Sequence, residues 1–454
     1  MPPAVLWFRR DLRLGDHPAL LAAIDSAGPS GAVLPVFVFD ERLWGPSGSP
    51  RRRFLLDCLA DLQERTGGAL LLRSGDPARV IPRLVAEVGA GSVHVSADAG
   101  PYGRRRDDAV ERALGDVPLI RTGSPYAVTP GRVTKADGTA FKVFTPFSRA
   151  WREHGWRAPA TRPGRIPWAT GVPSEDAPSA PSLSGVSLPP AGEDAALAAW
   201  ARFRDERLTA YDEARNTPGV HGTSRLSAYL KYGCVHPRTL LADLAGHDSE
   251  AARRYATELA WREFYADVLW HRPESARQYL NPQLQGMEYD TGPDAEALIT
   301  AWEQGRTGFP IVDAGMRQLL GEAYVHNRVR MIVASFLVKD LHQEWTRGAR
   351  YFLRHLVDGD LASNNHGWQW VAGTGTDASP YYRVFNPVTQ GKKFDPDGAY
   401  VKRWVPELRD LHPKHVHEPW TAPGGVPAGY PEPIVDHAHE RRVSLDRYEA
   451  VRAR

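Results

Sequence analysis

Short apolar runs alternate with helical patterns in the first third of the chain. The apolar runs are Ala4–Phe8, Ala32–Phe39, Ala69–Leu72 and Ser92–Ser96. The helical patterns between them are Pro18–Ala27, Arg52–Arg65 and Ala78–Val88. Strands that are buried on both faces read as continuous apolar runs, and an intervening helix returns the chain for a parallel neighbour. We therefore expect an α/β domain built on a doubly wound parallel sheet.

The pattern changes to helical spacing alone in the second half of the chain. Residues 159–190 are rich in Pro, Gly, Ser and Ala, which is typical of a long connector on a surface. The helices predicted after it are Ala195–Ala214, Ser224–Tyr232, Ser249–Trp270, Ala295–Glu303, Ile311–Gly321, Asn327–Lys339 and Trp345–His355. We expect an α/β domain at 1–130, a connector at 131–193 and an all-helical domain at 194–454, with an irregular Pro- and His-rich tail at 413–434.

Composition and charge narrow the class of protein only a little. The 454 residues are 42% hydrophobic and 24% charged, as in ordinary globular proteins, and fourteen are Trp. The net charge of +2 does not indicate nucleic-acid binding, which must be argued from local clusters. Cys58 and Cys234 lie far apart in sequence, which excludes a disulfide framework and fits a reducing cytoplasm. The apolar run at the N-terminus is too short for a signal peptide or a membrane span.

Charged residues follow the predicted strands. Arg9, Arg10 and Asp11 come after the first strand and Asp40 after the second. Ligands of doubly wound sheets bind beyond the carboxyl ends of the strands, so these residues are candidates for a ligand crevice. They can equally end the strands and meet water, and position alone favours that second interpretation.

Two segments of the helical half combine residues suited to a ligand. Hydroxyls and an arginine at Thr223–Ser227 stand at a predicted helix start, where they suit a diphosphate or serve as an ordinary cap. Glu258, Trp261, Arg262 and Tyr265 share one helical face, which suits a planar polar ligand or an amphipathic helix at the edge of a core. These alternatives stay open on local sequence alone.

A third segment, Asp358–Trp370, holds two acids, two neighbouring amides and two indoles. Arg328 and Arg330 can neutralise the acids as buried pairs. The histidine spacing in this segment gives little support for a metal site, and we expect the loosely spaced histidines 412, 415 and 417 to lie in a solvated loop. Gly373–Ala378 matches G-x-G-x-x-A but does not lie between a strand and a helix, so we reject it as a dinucleotide site. We expect no metal site.

Taken together, these segments resemble the photolyase/cryptochrome family. The most specific matches are Leu6–Arg13, Thr223–Ser227, Trp261–Tyr265, Gly305–Asp313, His326–Met331 and Asp358–Gly375. Within the family the chain is similar to class I cyclobutane pyrimidine dimer photolyases of the deazaflavin-antenna branch. The resemblance implies an N-terminal α/β antenna domain and a C-terminal all-helical domain that holds a U-shaped FAD.

The resemblance also implies which residues bind FAD. They are Tyr211, Thr223, Ser224, Arg225, Leu226, Ser227, Asn327, Arg330, Asp358, Gly359, Asp360 and Asn364. Asp358 can pair with Arg330 beside the isoalloxazine, and hydroxyls at a helix start suit the diphosphate. Asn364 would face flavin N5, where an amide cannot hand over a proton as a carboxylic acid can. We therefore expect the anionic, fully reduced form, FADH⁻, to be the active one.

A dimer pocket and DNA contacts are implied in the same way. The pocket residues are Glu258, Trp261, Asn327, Met331 and Trp370, and the other DNA contacts are Arg215, Arg262, Tyr265 and Arg383. The lesion would be flipped out of double- or single-stranded DNA, since a damaged site is the cheapest to unstack. The two indoles would stack on its bases, and a protonated Glu258 would donate a hydrogen bond as charge develops on a thymine carbonyl.

The implied reaction is light-dependent repair by electron transfer from reduced FAD to the dimer, carried out by a monomer with no membrane partner. Relatives that repair (6-4) photoproducts use histidines where this chain has Asn327 and Met331. Plant-type cryptochromes carry Asp at the position of Asn364. A blue-light photosensor without repair activity is the alternative function.

Two further expectations concern electron transfer and light harvesting. Trp368 and Trp345 resemble the first two members of a photoreduction chain whose third Trp is replaced by Gly292, with Tyr289 or Tyr324 as substitutes. The segment Pro101–Asp107 lacks the Asn-Glu pair of folate-binding relatives, which favours 8-hydroxy-5-deazaflavin over methenyltetrahydrofolate or no antenna. The antenna candidates are Arg9, Arg10, Asp11, Phe37, Asp40 and Arg53.

Overall fold

The computed structural model describes residues 2–376 and 382–453. Its strands are β1 Ala4–Phe8, β2 Val33–Phe39, β3 Leu71–Ser74, β4 Ser92–Val95 and β5 Leu119–Arg121. Helices of the first half are α1 Pro18–Ala27, α2 Glu41–Trp44, α3 Ser49–Arg65, α4 Pro77–Val88, α5 Pro101–Leu114, α6 Phe144–His154, α7 Glu193–Glu206, α8 Tyr211–Ala214 and α9 Ser227–Tyr232.

Helices continue through the second half of the chain. They are α10 Pro237–Leu244, α11 Glu250–His271, α12 Pro293–Glu303, α13 Pro310–Glu322, α14 Asn327–Lys339, α15 Trp345–His355, α16 Leu361–Ala372, α17 Pro387–Phe394, α18 Ala399–Trp404, α19 Pro413–Val416 and α20 His437–Arg452. Short 3-10 helices lie at Leu208–Ala210, Pro273–Ala276, Pro282–Gly286, Pro406–Leu408 and Pro419–Thr421. None of the described helices is both long and apolar enough to cross a bilayer.

The five strands form one parallel sheet in the order β3-β2-β1-β4-β5. Every residue of β1, β2 and β4 is buried, as continuous apolar strands covered on both faces require. The strand order reverses beside β1, so the carboxyl ends of β1 and β4 border the topological switch point where such sheets bind ligands. The predicted α/β class with a following helical region is confirmed.

Several elements were not predicted from the sequence. Strand β5 is only three residues long and α5 is largely charged, so neither shows a clear apolar period. Helix α6 lies inside the predicted connector, and α20 follows the tail that was expected to be irregular. Residues 159–190 contain no helix and only an isolated bridge at Trp168, as expected of a connector.

The chain divides into two compact units that do not follow the predicted domain boundaries. The sheet unit comprises Met1–Ser182, Pro189–Thr209 and Ser224–Pro273, and the helical unit comprises Leu183–Leu188, Ala210–Thr223 and Glu274–Arg454. Helix α11 belongs to the sheet unit because its buried acids bind the loop after β5. Glu263 accepts hydrogen bonds from Ala127 N and Val128 N, and Asp267 accepts one from Gly131 N.

Each unit has its own hydrophobic core. The core of the sheet unit is built from the strands with α4 and α5. The core of the helical unit contains Trp302, Trp345, Phe352 and Trp368 among many aliphatic residues of α13 and α14. A Cβ on Gly348 would lie 2.2 Å from the Trp368 ring, so this glycine lets α15 approach α16 closely.

Candidate functional site

An ion pair joins α14 to the segment before α16 in the helical unit. Arg330 Nη2 donates to Asp358 Oδ2 at 2.8 Å, and Arg330 Nε donates to the carbonyl of Val325 at 2.7 Å. Burial lowers the pKa of the Arg330 guanidinium, but Asp358 outweighs burial and the pKa lies above its ordinary value. Asp358 Oδ1 is buried without a hydrogen-bond partner among the described residues. A ligand N–H or O–H can use this acceptor, which is costly to leave unpaired.

The side chain of Asn364, on the first turn of α16, is held by its amide nitrogen. Nδ2 donates to the carbonyl of Ala349 at 3.1 Å and to Asn365 Oδ1 at 2.9 Å. Both amide hydrogens are therefore committed to protein acceptors, which leaves the amide oxygen to face a ligand. The half-buried Asn364 thus presents a fixed hydrogen-bond acceptor with no proton to give.

Asp360, another predicted FAD ligand, has a local structural partner. Its carboxylate accepts a hydrogen bond from Ser363 N at 3.1 Å and caps α16. The preceding Gly359 is buried. Asp358, Asp360 and Asn364 therefore lie within one helix start, and the cap holds the backbone from which Asn364 projects.

The two tryptophans predicted to carry electrons are buried in the helical core. Trp345 is 0% and Trp368 3% exposed. The ring of Trp368 contacts Phe352 at 5.0 Å and Trp302 at 6.3 Å between centroids. Gly292, where the third Trp was expected, caps α12 with φ of 94°, and a Cβ there would meet nothing within 4 Å. No aromatic ring occupies that position in this chain.

Asn327 and Met331 lie one helical turn apart on α14. Asn327 is exposed and Met331 is half-buried. Arg328 extends over the same turn, with Nη1 3.7 Å from Met331 Sδ and Nη2 donating to Asn216 Oδ1 at 2.8 Å. Trp370 is half-buried and packs at the edge of the helical core. The predicted pocket residues of this unit are thus accessible, in contrast to Trp345 and Trp368.

The remaining predicted residues of the helical unit differ in exposure. Tyr211 is 6% exposed, and the Arg215 guanidinium lies 5.7 Å from its ring. Arg383 is exposed, and its backbone carbonyl accepts a hydrogen bond from Lys339 Nζ. Thr223 is the last residue of Ala210–Thr223, a segment that belongs to the helical unit. Gly222, just before it, leaves no room for a Cβ, which would lie 2.6 Å from the carbonyl oxygen of Ala214.

The aromatic stripe on α11 lies in the sheet unit. Trp261 stacks on Phe144, with ring centroids 3.7 Å apart and planes 7° apart, and Tyr265 contacts the indole at 5.5 Å. Trp261 is only half-buried. Phe144 therefore fixes the orientation of the indole and covers one of its faces.

Glu258 lies on the same stripe beside a buried phenol. Burial raises the pKa of Tyr255, and the nearby carboxylate of Glu258 raises it further. Tyr255 Oη is hydrogen bonded to Ser224 Oγ at 2.8 Å. This links α11 to the predicted diphosphate segment, in which Arg225 has a positive φ of 54° and Leu226 precedes the short helix α9.

Arg262 has internal partners. Its guanidinium donates to the carbonyls of Pro125 at 3.0 Å and Leu230 at 3.1 Å, and lies 4.4 Å from the ring of Tyr126. These contacts join α11 to two loops of the sheet unit. Arg262 thus has a clear structural role, and its contact with DNA stays a prediction.

Charged residues form a network at the carboxyl ends of β1, β2 and β4. Arg9 donates to Asp107 and to the carbonyl of Ser96. Asp11 accepts from Ser96 Oγ at 2.7 Å and lies 3.3 Å from His17. Burial raises the pKa of Asp11, but His17 and the hydrogen bonds outweigh it, so the pKa lies well below its ordinary value.

The other antenna candidates differ in their burial and in their hydrogen-bond partners. Asp40 caps α2 and accepts a hydrogen bond from Tyr102 Oη. Burial and Asp40 raise the pKa of Tyr102 to about 12. Phe37 is buried, Arg10 Nε donates to the carbonyl of Lys231 at 3.3 Å, and the half-exposed Arg53 pairs with Asp57 within α3.

Histidines 412, 415 and 417 and the Gly373–Ala378 match were considered and rejected as metal and dinucleotide sites, but the expectation that His417 lies in a solvated loop is wrong. His417 is buried with Nε2 2.6 Å from the carbonyl oxygen of Asp395. No group of three or more His, Cys, Asp or Glu side chains within the described ranges could hold a metal ion. Gly373 ends α16 in the left-handed conformation, whereas Asp377 and Ala378 of the same motif lie outside the described residues.

Comparison with known proteins assigns the family. A family model described as "DNA photolyase" matches residues 4–164, and one described as "FAD binding domain of DNA photolyase" matches residues 255–450. A deoxyribodipyrimidine photo-lyase of Agrobacterium fabrum is 40% identical, over 99% of this chain and 98% of the relative. The chain belongs to the DNA photolyase family.

Two solved structures of the family share the fold over its whole length. A class III photolyase from Agrobacterium tumefaciens superposes with a TM-score of 0.92 at 38% identity, covering 100% of this chain and 98% of that one. A Synechocystis cryptochrome superposes with a TM-score of 0.89 at 26% identity, covering 98% and 99%. The family therefore includes both repair enzymes and cryptochromes on this architecture.

The residues of the helical unit fit the FAD that the family binds. Asp358 Oδ1 lacks a partner within the described chain, and Asn364 has committed both amide hydrogens. Flavin rings carry N–H groups that suit both acceptors. The Arg330–Asp358 pair is neutral overall, and it holds the Asp358 carboxylate in place while Oδ1 stays available to a ligand donor.

Sequence reasoning missed several residues that shape these sites. Four residues contact predicted site residues although none was itself a candidate: Phe144, Tyr255, Tyr102 and Asp107. Phe144 lay in a segment that we assigned to the connector. Tyr255 lies one helical turn before Glu258, so helical spacing alone could have identified it as a neighbour. Contacts such as those of Phe144 depend on long-range folding and carry no local signal.

Proposed function

We propose that this protein repairs cyclobutane pyrimidine dimers in DNA, using light and fully reduced FAD. One observation carries the proposal: the chain matches a deoxyribodipyrimidine photo-lyase at 40% identity over essentially the whole of both proteins. The bound cofactor would supply an electron to the dimer in light and regain it after the ring opens. The reaction has no net redox change.

The residues of the chain would hold the cofactor and the lesion. Asp358, paired with Arg330, and the amide oxygen of Asn364 would accept hydrogen bonds from the flavin ring. Thr223–Ser227, with Tyr211, Asn327, Gly359 and Asp360, complete the proposed cofactor shell. Asn364 can accept a hydrogen bond but cannot protonate the flavin, which preserves the anionic reduced form.

Aromatic and polar side chains would recognise the flipped dimer. Trp261, held by Phe144, and Trp370 would stack on the pyrimidines. Glu258, in its protonated form, would donate a hydrogen bond to a thymine carbonyl, and Asn327 with Met331 would contact the bases. Arg215, Arg262, Tyr265 and Arg383 are the proposed contacts to the rest of the DNA.

The lesion type, the photolyase class and the antenna chromophore are finer assignments that rest on fewer residues. Asn327 and Met331 favour dimer repair over (6-4) repair, but they do not separate class I from the class III enzyme that the chain also resembles. The class I assignment therefore stays a prediction. We also propose that the crevice beyond β1, β2 and β4 binds 8-hydroxy-5-deazaflavin, and that the protein acts as a cytoplasmic monomer on double- or single-stranded DNA.

Illumination of the purified FAD-loaded protein with a dimer-containing oligonucleotide tests the proposal. We expect restored pyrimidines in blue light and none in an identical dark sample. Similarity to a cryptochrome makes a photosensor the second candidate. A protein that shows flavin photochemistry but leaves every dimer intact, after chemical reduction of the flavin, refutes repair and supports the photosensor.

A further inference from the structure

Two tyrosines and a carboxylate form a hydrogen-bonded chain beside Trp345 in the helical unit. The rings of Trp345 and Tyr279 are 6.1 Å apart between centroids. Tyr279 Oη donates to Glu344 Oε1 at 3.2 Å and is 2.9 Å from Tyr289 Oη. Since a phenol has a single proton to donate, Tyr289 is the donor to Tyr279. Protons are therefore ordered from Tyr289 through Tyr279 to Glu344.

These side chains become less buried from Trp345 through Tyr279 to Tyr289 and Glu344. Trp345 is 0% and Tyr279 8% exposed, whereas Tyr289 and Glu344 are half-buried. Burial raises the pKa of Tyr279, and it raises the pKa of Tyr289 to about 12. Both phenols are therefore neutral at physiological pH, so each must lose its proton when it is oxidised.

Trp345 and Tyr279 differ in whether they can lose that proton. No described residue accepts a hydrogen bond from the buried Nε1 of Trp345. An oxidised Trp345 therefore stays a protonated radical cation, which is a strong oxidant. Tyr279, in contrast, has a carboxylate oxygen in hydrogen-bond contact, and Thr346 Oγ1 holds that carboxylate in place by donating to its other oxygen at 2.7 Å.

We propose that Tyr279, acting with Tyr289 and Glu344, gives the electron that reduces oxidised Trp345 when light reduces oxidised flavin in this protein. This inference rests on the proposed function, which supplies the photoexcited flavin as the electron acceptor. The third Trp of the electron chain was expected at the position of Gly292. In this proposal Tyr279 and Tyr289 take the role of that Trp, and Tyr324 does not.

The step balances in electrons and protons. One electron passes from Tyr279 to the Trp345 radical cation, and the proton on Tyr279 Oη moves to Glu344 Oε1. The products are neutral Trp345, a neutral tyrosyl radical and a protonated carboxyl group. Tyr289 then gives one electron and one proton to Tyr279, which moves the radical to the half-buried ring. An external thiol returns a hydrogen atom to Tyr289 and becomes a thiyl radical, and Glu344 releases its proton to water.

Tyr351 provides a matched control. Its ring lies 5.5 Å from Trp302, which in turn lies 6.3 Å from Trp368, so ring spacing alone would favour it equally. Tyr351 Oη donates to the backbone carbonyl of Glu303 at 2.9 Å. A carbonyl oxygen is too weak a base to take the proton, so Tyr351 is not set up for oxidation.

Electron paramagnetic resonance after illumination of the oxidised holoprotein in frozen solution tests the proposal. We expect a tyrosyl spectrum in the wild type and in Tyr351→Phe. Tyr279→Phe should show only a tryptophanyl spectrum, and flavin reduction per flash should fall several-fold because that radical recombines. Glu344→Gln should slow formation of the tyrosyl radical and abolish its dependence on exchange of H₂O for D₂O.

Two results overturn the proposal: a wild type that forms only a tryptophanyl radical, or a tyrosyl radical that survives Tyr279→Phe. The wild-type spectrum is decisive even if a variant does not fold. Repair by chemically reduced wild type after a single flash requires no electron from Tyr279. Absence of repair there refutes the proposed function and leaves the radical assignment to be judged from the spectra.

Discussion

The indole of Trp261 offers only one face to a ligand, because Phe144 covers the other at 3.7 Å. Base–aromatic stacking contributes roughly 1–3 kcal/mol. We therefore expect Trp261→Ala to weaken binding of dimer-containing DNA by about 5- to 150-fold, as measured in equilibrium titrations. Trp404→Ala, which removes a half-buried indole with no predicted DNA contact, is the control. Unchanged affinity in Trp261→Ala would exclude a stacking role.

Glu258 is predicted to act on the chemical step. A hydrogen bond to a developing negative charge strengthens in the transition state, so its loss affects rate more than binding. We expect Glu258→Ala to lower the quantum yield of repair several-fold while affinity for the lesion largely survives. Glu258→Gln keeps a hydrogen-bond donor and should recover part of the yield. Wild-type yield in Glu258→Ala would reject this role.

At the scale of elements, α11 is fixed to the sheet unit by a buried carboxylate. Glu263 accepts hydrogen bonds from Ala127 N, Val128 N and Trp151 Nε1. Burial nevertheless raises the pKa of Glu263 from 4.5 to about 7, against the effect of these donors. The native state therefore holds a proton that the unfolded state releases, and the resulting stabilisation is complete below pH 4.5 and is lost as pH rises to about 7.

This linkage makes a measurable prediction for Glu263→Gln. The shift of the Glu263 pKa from 4.5 to about 7 corresponds to about 3 kcal/mol in the free energy of unfolding. The free energy of unfolding of the wild type, relative to the variant, should fall as pH rises from 5 to 8. Denaturant titrations of both proteins at several pH values measure the difference. A difference that does not change between pH 5 and 8 would show that the native carboxylate is already ionised over this range.

Local pattern predicted some elements to the residue. Helices α1, α14 and α15 have the bounds expected from periodicity, because each combines an apolar stripe with a clear start. Helix α5 was missed because half of its residues are charged, and its burial of Arg106 and Asp107 depends on partners elsewhere in the sheet unit. Candidate site residues on α14 and α16 could be named in advance because the family resemblance covers both helices, and their roles stay predictions.

At the scale of the whole molecule, the light-harvesting chromophore is the main open prediction. The candidates Arg9, Asp11 and Asp40 have protein partners, and Tyr102 is bound to Asp40. A deazaflavin at the strand ends would give the purified holoprotein an absorption band additional to that of FAD. Tyr102→Phe should weaken that band without changing FAD content, whereas Arg253→Ala, on an exposed ion pair outside the proposed crevice, should leave it intact. A folate band, or flavin alone, would refute the deazaflavin assignment.

Order along the chain was enough to predict the class of fold, since apolar periodicity is a local property. The family resemblance supplied the candidate residues of the flavin and dimer sites, which stay predictions. Long-range packing settled the rest. Phe144 against Trp261, Tyr255 against Ser224 and Tyr279 between Trp345 and Glu344 are pairs distant in sequence, and nothing in their spacing marks them. The grouping of α11 with the sheet unit likewise arises from buried hydrogen bonds that form only once the chain has folded.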